Sequence, residues 1–248
     1  MGQIIDPALA GNAAMPEDAT GVAHPLDHPV WAALTTQHRG IAEGDSVVRR
    51  YPSQIAPFAA TVDNSPASFQ ALETLIANES HPVALVMVDD VNLPDAFEIV
   101  FARTINQMLG TSIEGPYKRA DIVPLGAKDA PEMMALVELT KPGPFSVRTH
   151  ELGTYLGVRD GSRLVAMAGE RMRLDGFTEI SAVCTHPDHR GRGYARALIT
   201  ALVQAVSARG ELPFLHVVSE NQSAIALYHE LGFTLRQTMH FTVLRCSQ

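Results

Sequence analysis

The stretch "VCTHPDHRGRGYA" at residues 183–195 decides how the C-terminal half of this chain folds. An apolar strand pattern ends in a proline turn, two arginines then alternate with two glycines, and an apolar helical pattern follows over residues 194–210. Glycine lets backbone amides come close to a ligand, and the first turn of a helix favours negative charge. The stretch therefore predicts a strand, an anion-binding loop and a helix, with a phosphate as the expected ligand.

The segments on both sides of this loop predict an α/β fold. Helices are expected where apolar residues recur with helical spacing, and strands where apolar runs are short or alternate. In the C-terminal half, strands are predicted at 154–174 (a hairpin that turns at "RDGS"), 177–185, 213–219 and 234–246. Helices are predicted there at 129–140, 194–210 and 221–233. In the N-terminal half, helices are predicted at 30–38 and 65–80, and strands at 56–63 and 82–88.

Composition and charge divide the chain into three parts. Residues 1–29 are rich in Ala, Pro, Asp and Gly and predict a loosely ordered arm. Residues 30–115 form a predicted N-terminal α/β lobe, and residues 116–248 form a second domain that holds the loop. Residues 1–115 carry 4 basic and 14 acidic side chains, whereas residues 116–248 carry 15 basic and 13 acidic ones. An anionic ligand is therefore expected in the C-terminal part.

Two kinds of phosphate site match the loop in part. One is the G-x-G-x-x-G turn of a dinucleotide-binding fold, which Gly191 and Gly193 begin but in which Arg196 replaces the third glycine. Glu220, at the end of the next strand, could contact a ribose in that fold. However, a polar turn separates the strand from Gly191, and only 55 residues follow Gly193, which is short for a doubly wound sheet. The other kind is a coenzyme A site, which a second motif supports.

Residues 116–248 resemble the GNAT superfamily of acyltransferases. The loop from Arg190 to Ala195 matches the family pattern R/Q-x-x-G-x-G/A, and "ENQSAIALYHELGF" at 220–233 matches N-x-x-A-x-x-x-Y-x-x-x-G-F. The resemblance implies a mixed, mostly antiparallel sheet flanked by helices. The N-terminal lobe is then expected to be a smaller α/β unit, either a degenerate copy of the same fold or a reduced partner lobe, that packs against the GNAT-like domain and helps to shape the acceptor site.

The resemblance also implies that acetyl-CoA is the co-substrate, with no metal ion. The backbone of the strand before the loop would hold the pantetheine arm, and the loop would hold the pyrophosphate. The expected binding residues are Val183, Cys184, Thr185, Arg190, Gly191, Arg192, Gly193, Tyr194, Ala195, Arg196, Asn221 and Tyr228. Several of these residues also have a structural interpretation. Asn221 could be a helix N-cap, Cys184 could be a packed core residue, and each arginine could be a solvated side chain.

The implied reaction is direct attack of a primary amine on the acetyl thioester. Tyr228 matches the position of the proton donor for the leaving thiolate, although a packed aromatic would show the same helical spacing. For the general base, Glu179 ranks first, because a carboxylate in an apolar strand could have a raised pKa. His216 ranks second. The structural alternative for Glu179 is a hydrogen-bonded carboxylate, and the structural alternative for His216 is a core imidazole.

The acceptor is expected to be an amine of a small molecule or a peptide. The resembled fold would line the acceptor groove with residues 133–152, where Phe145, Arg148 and Glu151 are candidates. The acidic N-terminal half favours, weakly, a cationic amine. A non-enzymatic alternative is an acyl-CoA-binding sensor that has kept the loop but lost turnover, against which Tyr228 counts.

Composition and sequence patterns argue against several other classes of protein. A net charge of −8 argues against a nucleic-acid partner, and the lack of an apolar run near 18 residues argues against a membrane span. Two cysteines and no signal-peptide pattern predict a reduced cytoplasmic protein. The chain is expected to be a monomer or a homodimer. His186 and His189 flank Pro187 in a turn without an evident third ligand, so a metal site is not expected.

Overall fold

A computed structural model describes residues 24–111 and 121–247. Its strands are β1 (Glu43–Gly44), β2 (Val48–Arg50), β3 (Ala59–Thr61), β4 (Val83–Met87), β5 (Phe97–Leu109), β6 (Ile122–Leu125), β7 (Tyr155–Asp160), β8 (Arg163–Leu174), β9 (Phe177–Thr185), β10 (Leu212–Val218) and β11 (Thr234–Cys246). Its α-helices are α1 (Pro29–Thr35), α2 (Pro66–Ile76), α3 (Ala130–Thr140), α4 (Tyr194–Ala208) and α5 (Gln222–Glu230). Among the helices of this described part, none is long and apolar enough to cross a membrane.

One large sheet organises the fold, with the strand order β4-β11-β5-β10-β9-β8-β7-β6. The pairing of β9 with β10 is parallel, and every other pairing in this sheet is antiparallel. The predicted hairpin is present as β7 and β8, with Gly161 at φ +58° in its turn. The prediction of a mixed, mostly antiparallel sheet flanked by helices is confirmed.

The two faces of the sheet carry separate cores. Helices α4 and α5 cover one face, where Leu198 and Leu202 of α4 pack with Leu215 and Val217 of β10. The opposite face packs against α1 and the segment before it, and Phe214 of β10 belongs to that core. Alternate side chains of a strand point to opposite faces. His216 therefore lies on the same face as Phe214, away from α4.

The N-terminal strand–helix–strand unit is present but divided between sheets. Helix α2 begins after Ser65, whose Oγ accepts a hydrogen bond from the Ser68 N–H at 3.3 Å. Strand β3 belongs to a small sheet, β1-β2-β3, and a parallel bridge between Phe58 and Ala84 connects this region to β4. Strand β5 was not predicted, because Ile99, Val100 and Phe101 are consecutive exposed apolar residues that show no alternation.

The large sheet runs through both predicted lobes. Strands β4 and β5 come from the range 30–115, yet β5 lies between β10 and β11, which come from the range 116–248. The division of the chain into two domains at residue 115 thus stays a prediction. Most of the predicted arm lies outside the described residues, but residues 24–29 are not loose, since Leu26 is fully buried and Asp27 pairs with Arg236 at 2.6 Å.

Candidate active site

The loop before α4 has the backbone conformation of an anion-binding turn. Gly191 and Gly193 have φ values of +75° and +80°, a left-handed conformation that glycine adopts without strain. A Cβ atom at either position would meet nothing within 4 Å. The glycines are therefore needed for their backbone angles, and the space next to the loop is open to a ligand.

The first turn of α4 has backbone donors that find no partner among residues 24–111 and 121–247. The first backbone hydrogen bond of the helix runs from the Ala197 N–H to the Gly193 carbonyl at 3.1 Å, so the N–H groups of residues 194–196 precede it. Within the described residues no side chain caps this end of the helix. Free N–H groups and the positive end of the helix dipole together form a site for an anion.

A cleft opens where the two parallel strands of the sheet separate. Strands β9 and β10 pair over residues 177–179 and 212–214, and among the described residues their pairing ends at Glu179 and Phe214. The cleft has a volume of about 840 Å³ and runs from Arg190 and Gly191 at the loop to the opposite face of the sheet, where Phe58 and Phe241 line it. It thus connects the anion site to both faces of the sheet.

A bulge in β9 shapes one wall of this cleft. Cys184 pairs with Met167 and Ser181 with Gly169, so two residues, Ala182 and Val183, stand opposite one residue of β8. Ala182 has a φ of +52°, which is rare for a residue with a side chain. A bulge leaves backbone groups without ladder partners. Donors on this wall are therefore free to contact a ligand.

Tyr228, on α5, lines the cleft on the side of the anion loop. Its ring packs against Phe233, with ring centroids 6.0 Å apart, and the residue is 8% exposed. Burial raises the pKa of the Tyr228 hydroxyl to about 12. The hydroxyl is therefore protonated at neutral pH and can act as a donor. Asn221 caps α5, since its Oδ1 accepts from the Ala224 N–H at 3.2 Å, and it also lines the cleft.

Glu179 lies at the centre of a buried polar cluster below the cleft. Arg171 donates to both of its oxygens, at 2.6 and 2.8 Å, and His216 Nδ1 lies 2.8 Å from Oε1. Burial alone raises the pKa of Glu179, but the charge of Arg171 and the hydrogen bonds from His216 and Arg171 outweigh it and lower the pKa to about 2. The predicted raised pKa is wrong, because the apolar strand pattern did not reveal the arginine on β8.

The hydrogen bonds around His216 assign different roles to its two ring nitrogens. Arg236 donates to Gln107 Oε1 at 3.0 Å, which orients the Gln107 amide so that Nε2 faces His216 Nε2 at 3.2 Å. Because an amide nitrogen is a donor, His216 Nε2 is the acceptor in this contact, and Nδ1 donates to Glu179 Oε1. Gln107 Nε2 has two hydrogens but three acceptors, since the Leu26 carbonyl and Met239 Sδ lie at 2.9 and 3.2 Å.

Comparison with known proteins identifies the family. A profile of the family described as FR47-like protein matches residues 155–242. The N-alpha-acetyltransferase RimI of Mycobacterium tuberculosis is 35% identical over 99 residues, which cover 37% of this chain and 61% of that protein. A GNAT-family structure from Novosphingobium aromaticivorans is 38% identical, with a TM-score of 0.85 over 91% of this chain and 100% of its own. This chain belongs to the GNAT superfamily of N-acetyltransferases.

The GNAT fold is also shared with more distant structures. A GCN5-related N-acetyltransferase from Kribbella flavida is 16% identical, with a TM-score of 0.58 over 85% of this chain and 95% of that one. GNAT acetyltransferases use acetyl-CoA as their co-substrate. The chain spans less than two thirds of the length of the RimI relative.

The GNAT cleft collects most of the residues that the sequence indicated. The predicted residues that line it are Val183, Cys184, Thr185, Arg190, Gly191, Ala195, His216, Asn221 and Tyr228. Arg192 instead reaches the Asp188 carbonyl at 3.4 Å, and Arg196 pairs with Glu230 on α5. Cys184 is buried and its thiol pKa is raised to about 11 by burial. This agrees with a packing residue that contributes its backbone to the cleft.

The predicted acceptor candidates lie elsewhere. Phe145 packs edge-on against Tyr155, with ring centroids 5.7 Å apart, and Arg148 forms an exposed ion pair with Glu151 at 2.7 Å. None of these three residues is among the described residues that line the cleft. The segment at the end of α3 does line the cleft, but it does so through residues 140–144.

The sequence analysis did not single out three residues that line the cleft or contact residues lining it, namely Arg171, Gln107 and Arg103. Arg171 interrupts the apolar run of β8, and a charge in a buried strand could have signalled an ion pair. Gln107 and Arg103 belong to β5, the strand without an alternating pattern, and carried no signal. The two turn histidines have protein partners, since Arg163 contacts His186 at 2.7 Å and Asp160 contacts His189 at 3.0 Å. Across residues 24–111 and 121–247, no group of three metal-ligating side chains lies together.

Proposed function

We propose that this protein is an acetyl-CoA-dependent N-acetyltransferase that moves an acetyl group to a primary amine of a small molecule or peptide. The observation that carries the proposal is a single cleft that joins the glycine loop of α4, the gap between β9 and β10, and the hydroxyl of Tyr228. Acetyl-CoA supplies the acetyl group as a thioester. The remaining chemistry is assigned to side chains and backbone groups of this chain.

The described residues fit coenzyme A in two respects. The free N–H groups of residues 194–196 and the open space at Gly191 suit a pyrophosphate. The bulged wall at Ala182 and Val183 offers backbone donors to the pantetheine arm and to the oxygen that becomes negative during attack. Arg190 lines the same end of the cleft and adds positive charge.

Proton transfer is assigned to two side chains that approach the cleft from opposite faces of the sheet. Tyr228 donates a proton to the leaving thiolate, because its hydroxyl remains protonated at neutral pH. His216 receives a proton from the amine, because it lines the cleft whereas Glu179 is fully buried beneath it. Glu179 then orients the imidazole and stabilises its charged form. To take up that proton, His216 Nε2 gives up the hydrogen bond from Gln107, whose amide keeps the Leu26 carbonyl as an acceptor.

The first test removes the proposed acid. Tyr228→Phe is expected to lower kcat by about 100- to 1,000-fold, the usual contribution of general acid catalysis. The Kd for acetyl-CoA should change less than about threefold, since the ring and its packing remain. Steady-state kinetics and isothermal titration with acetyl-CoA measure the two quantities.

A matched control is Tyr155→Phe, which removes a buried hydroxyl that has no hydrogen-bond partner among the described residues. That variant should keep wild-type kcat. If Tyr228→Phe also kept it, the acid assignment would be wrong. If the wild type bound acetyl-CoA but acetylated no amine in a broad panel, the acyl-CoA sensor would replace the enzyme.

The second test removes the proposed base. His216→Gln keeps a polar side chain but is expected to lower kcat about 100-fold. Steady-state kinetics at pH 7 measure the change. The control is His229→Gln on α5, a histidine that bonds to the Phe233 carbonyl at 3.0 Å and does not line the cleft. A kcat of His216→Gln equal to that of the wild type would contradict the assignment.

A further inference from the structure

The charges that line the cleft have one sign. Arg103, Lys141, Arg171 and Arg190 are among the described lining residues, and no aspartate or glutamate is. A positive potential repels a cationic ligand and attracts an anionic one. The weak expectation of a cationic acceptor came from the acidity of the whole N-terminal half. The described wall of the cleft does not share that acidity.

Two of these four cations already have carboxylate partners. Arg171 is neutralised by Glu179 in the buried ion pair, and Lys141 pairs with Glu138. Arg190 lies beside the anion loop, where phosphate is expected. Arg103 remains, and within the described ranges no carboxylate forms a salt bridge with it. Its guanidinium stacks over the ring of Phe101, with Cζ 4.6 Å from the ring centroid.

Arg103 stands at the far end of an apolar wall. On β5, Arg103, Ile105 and Gln107 share one face by strand alternation, and Gln107 is the Cα partner of His216. Arg103 is the Cα partner of Phe241 on β11. Apolar side chains line the cleft on this face: Phe58, Val86, Phe101, Ile105, Phe241 and Val243.

The register of β5 sets the length of this wall. Gln107 is four positions after Arg103, and a strand rises by about 3.3 Å per residue, so the two Cα atoms are roughly 13 Å apart. His216, the assigned base, lies at one end of the wall, and the Arg103 guanidinium lies at the other. The side chain of an α-amino acid could occupy the wall, but its amine and carboxylate are too close together to reach both ends.

We propose that the acceptor is an elongated primary amine with an apolar body and an anionic group at its far end. The amine lies at His216, the body lies along the apolar wall, and Arg103 binds the anion. This inference rests on the proposed function, because it places the amine at the assigned base. Guanidinium suits a carboxylate, since it donates two parallel hydrogen bonds.

The test compares matched acceptors that differ in one group. 8-Aminooctanoate and its neutral amide, 8-aminooctanamide, have the same amine and the same apolar chain. The kcat/KM of the wild type should be at least about tenfold higher for the acid, as expected for one charge-assisted pair. Within the acids, 8-aminooctanoate should exceed 4-aminobutanoate, whose charges are too close together. High salt should reduce the preference for the acid.

In Arg103→Gln, the kcat/KM values for the acid and the amide are expected to differ by no more than about twofold, because glutamine keeps hydrogen-bonding groups but removes the charge. The control is Arg245→Gln, which removes an exposed arginine that pairs with Glu98 at 2.8 Å and does not line the cleft. Its ratio should match that of the wild type. Equal rates for acid and amide in the wild type, or a preference that survives in Arg103→Gln, would overturn the inference.

Failure of the proposed function gives a different result. If no amine is acetylated although acetyl-CoA binds, the enzyme assignment fails, and titration calorimetry of the acid and the amide with the CoA-bound protein then decides the ligand class. Tighter binding of the acid that is lost in Arg103→Gln supports the inference. Equal binding of the two compounds, or no binding of either, overturns it.

Discussion

Arg171→Met should lower the free energy of unfolding by about 3–5 kcal/mol, the usual effect of removing one partner from a buried ion pair. Arg171 makes two hydrogen bonds to Glu179, and the carboxylate is fully buried. Methionine fills similar space but leaves the carboxylate without its counter-charge. Denaturant unfolding at pH 7, monitored by circular dichroism, measures the change.

The control for this variant lies two residues along the same strand. Arg173 pairs with Glu211 at 2.5 Å but its side chain is 38% exposed. Arg173→Met should therefore lower the stability by about 1 kcal/mol or less. Equal losses in the two variants would show that the burial of Glu179 does not govern the effect.

The stability lost in Arg171→Met should depend on pH, and the pKa of Glu179 determines the direction of that dependence. The pKa of Glu179 in the folded protein is about 2, below its ordinary value of 4.5. A lowered pKa contributes stability above the unfolded value, and that contribution is lost as the pH falls from about 4.5 toward 2. The difference in stability between wild type and Arg171→Met should therefore be largest above pH 5 and shrink in acid. A gap that widened in acid would contradict the assignment of the ion pair.

Gly193→Glu should abolish detectable acetyl-CoA binding, with Kd raised at least about 100-fold. A residue with a side chain is strained by roughly 1–2 kcal/mol at a φ of +80°, and the carboxylate adds repulsion where a pyrophosphate is expected. Isothermal titration of the folded variant, checked by circular dichroism, measures the loss.

Gly176→Glu provides a matched control. Gly176 also has a φ of +80°, and a Cβ there would meet nothing within 4 Å, but it lies in the turn between β8 and β9. The control has the same strain and the same added charge, so its acetyl-CoA affinity should equal that of the wild type. Retained affinity in Gly193→Glu, or equal losses in both variants, would remove the loop from the coenzyme A site.

Local patterns were sufficient for the part of the site that binds coenzyme A. The strand β9, the glycine turn and α4 are contiguous, and their conformations follow from apolar spacing and from the positive φ of Gly191 and Gly193. The same holds for Asn221 and Tyr228, which one helix places seven residues apart. Backbone preferences act over a few residues, so such units can be predicted without knowledge of the rest of the chain.

Other features could not be predicted, because they depend on pairing between distant segments. The 13-residue strand β5 lacks an alternating pattern over its exposed half, yet it pairs with both β10 and β11. Its insertion there brings Gln107 into contact with His216, 109 residues along the chain. No local signal in either segment predicts that contact.

Short-range spacing in the sequence was enough to predict the GNAT-like core of this protein, its anion loop and the position of its tyrosine. The charge state of Glu179, the tautomer of His216 and the cationic, apolar character of the far wall of the cleft depend on the folded chain, because a pKa or a pocket wall is set by all groups within a few ångströms. Sheet register, rather than proximity along the chain, determines which groups those are.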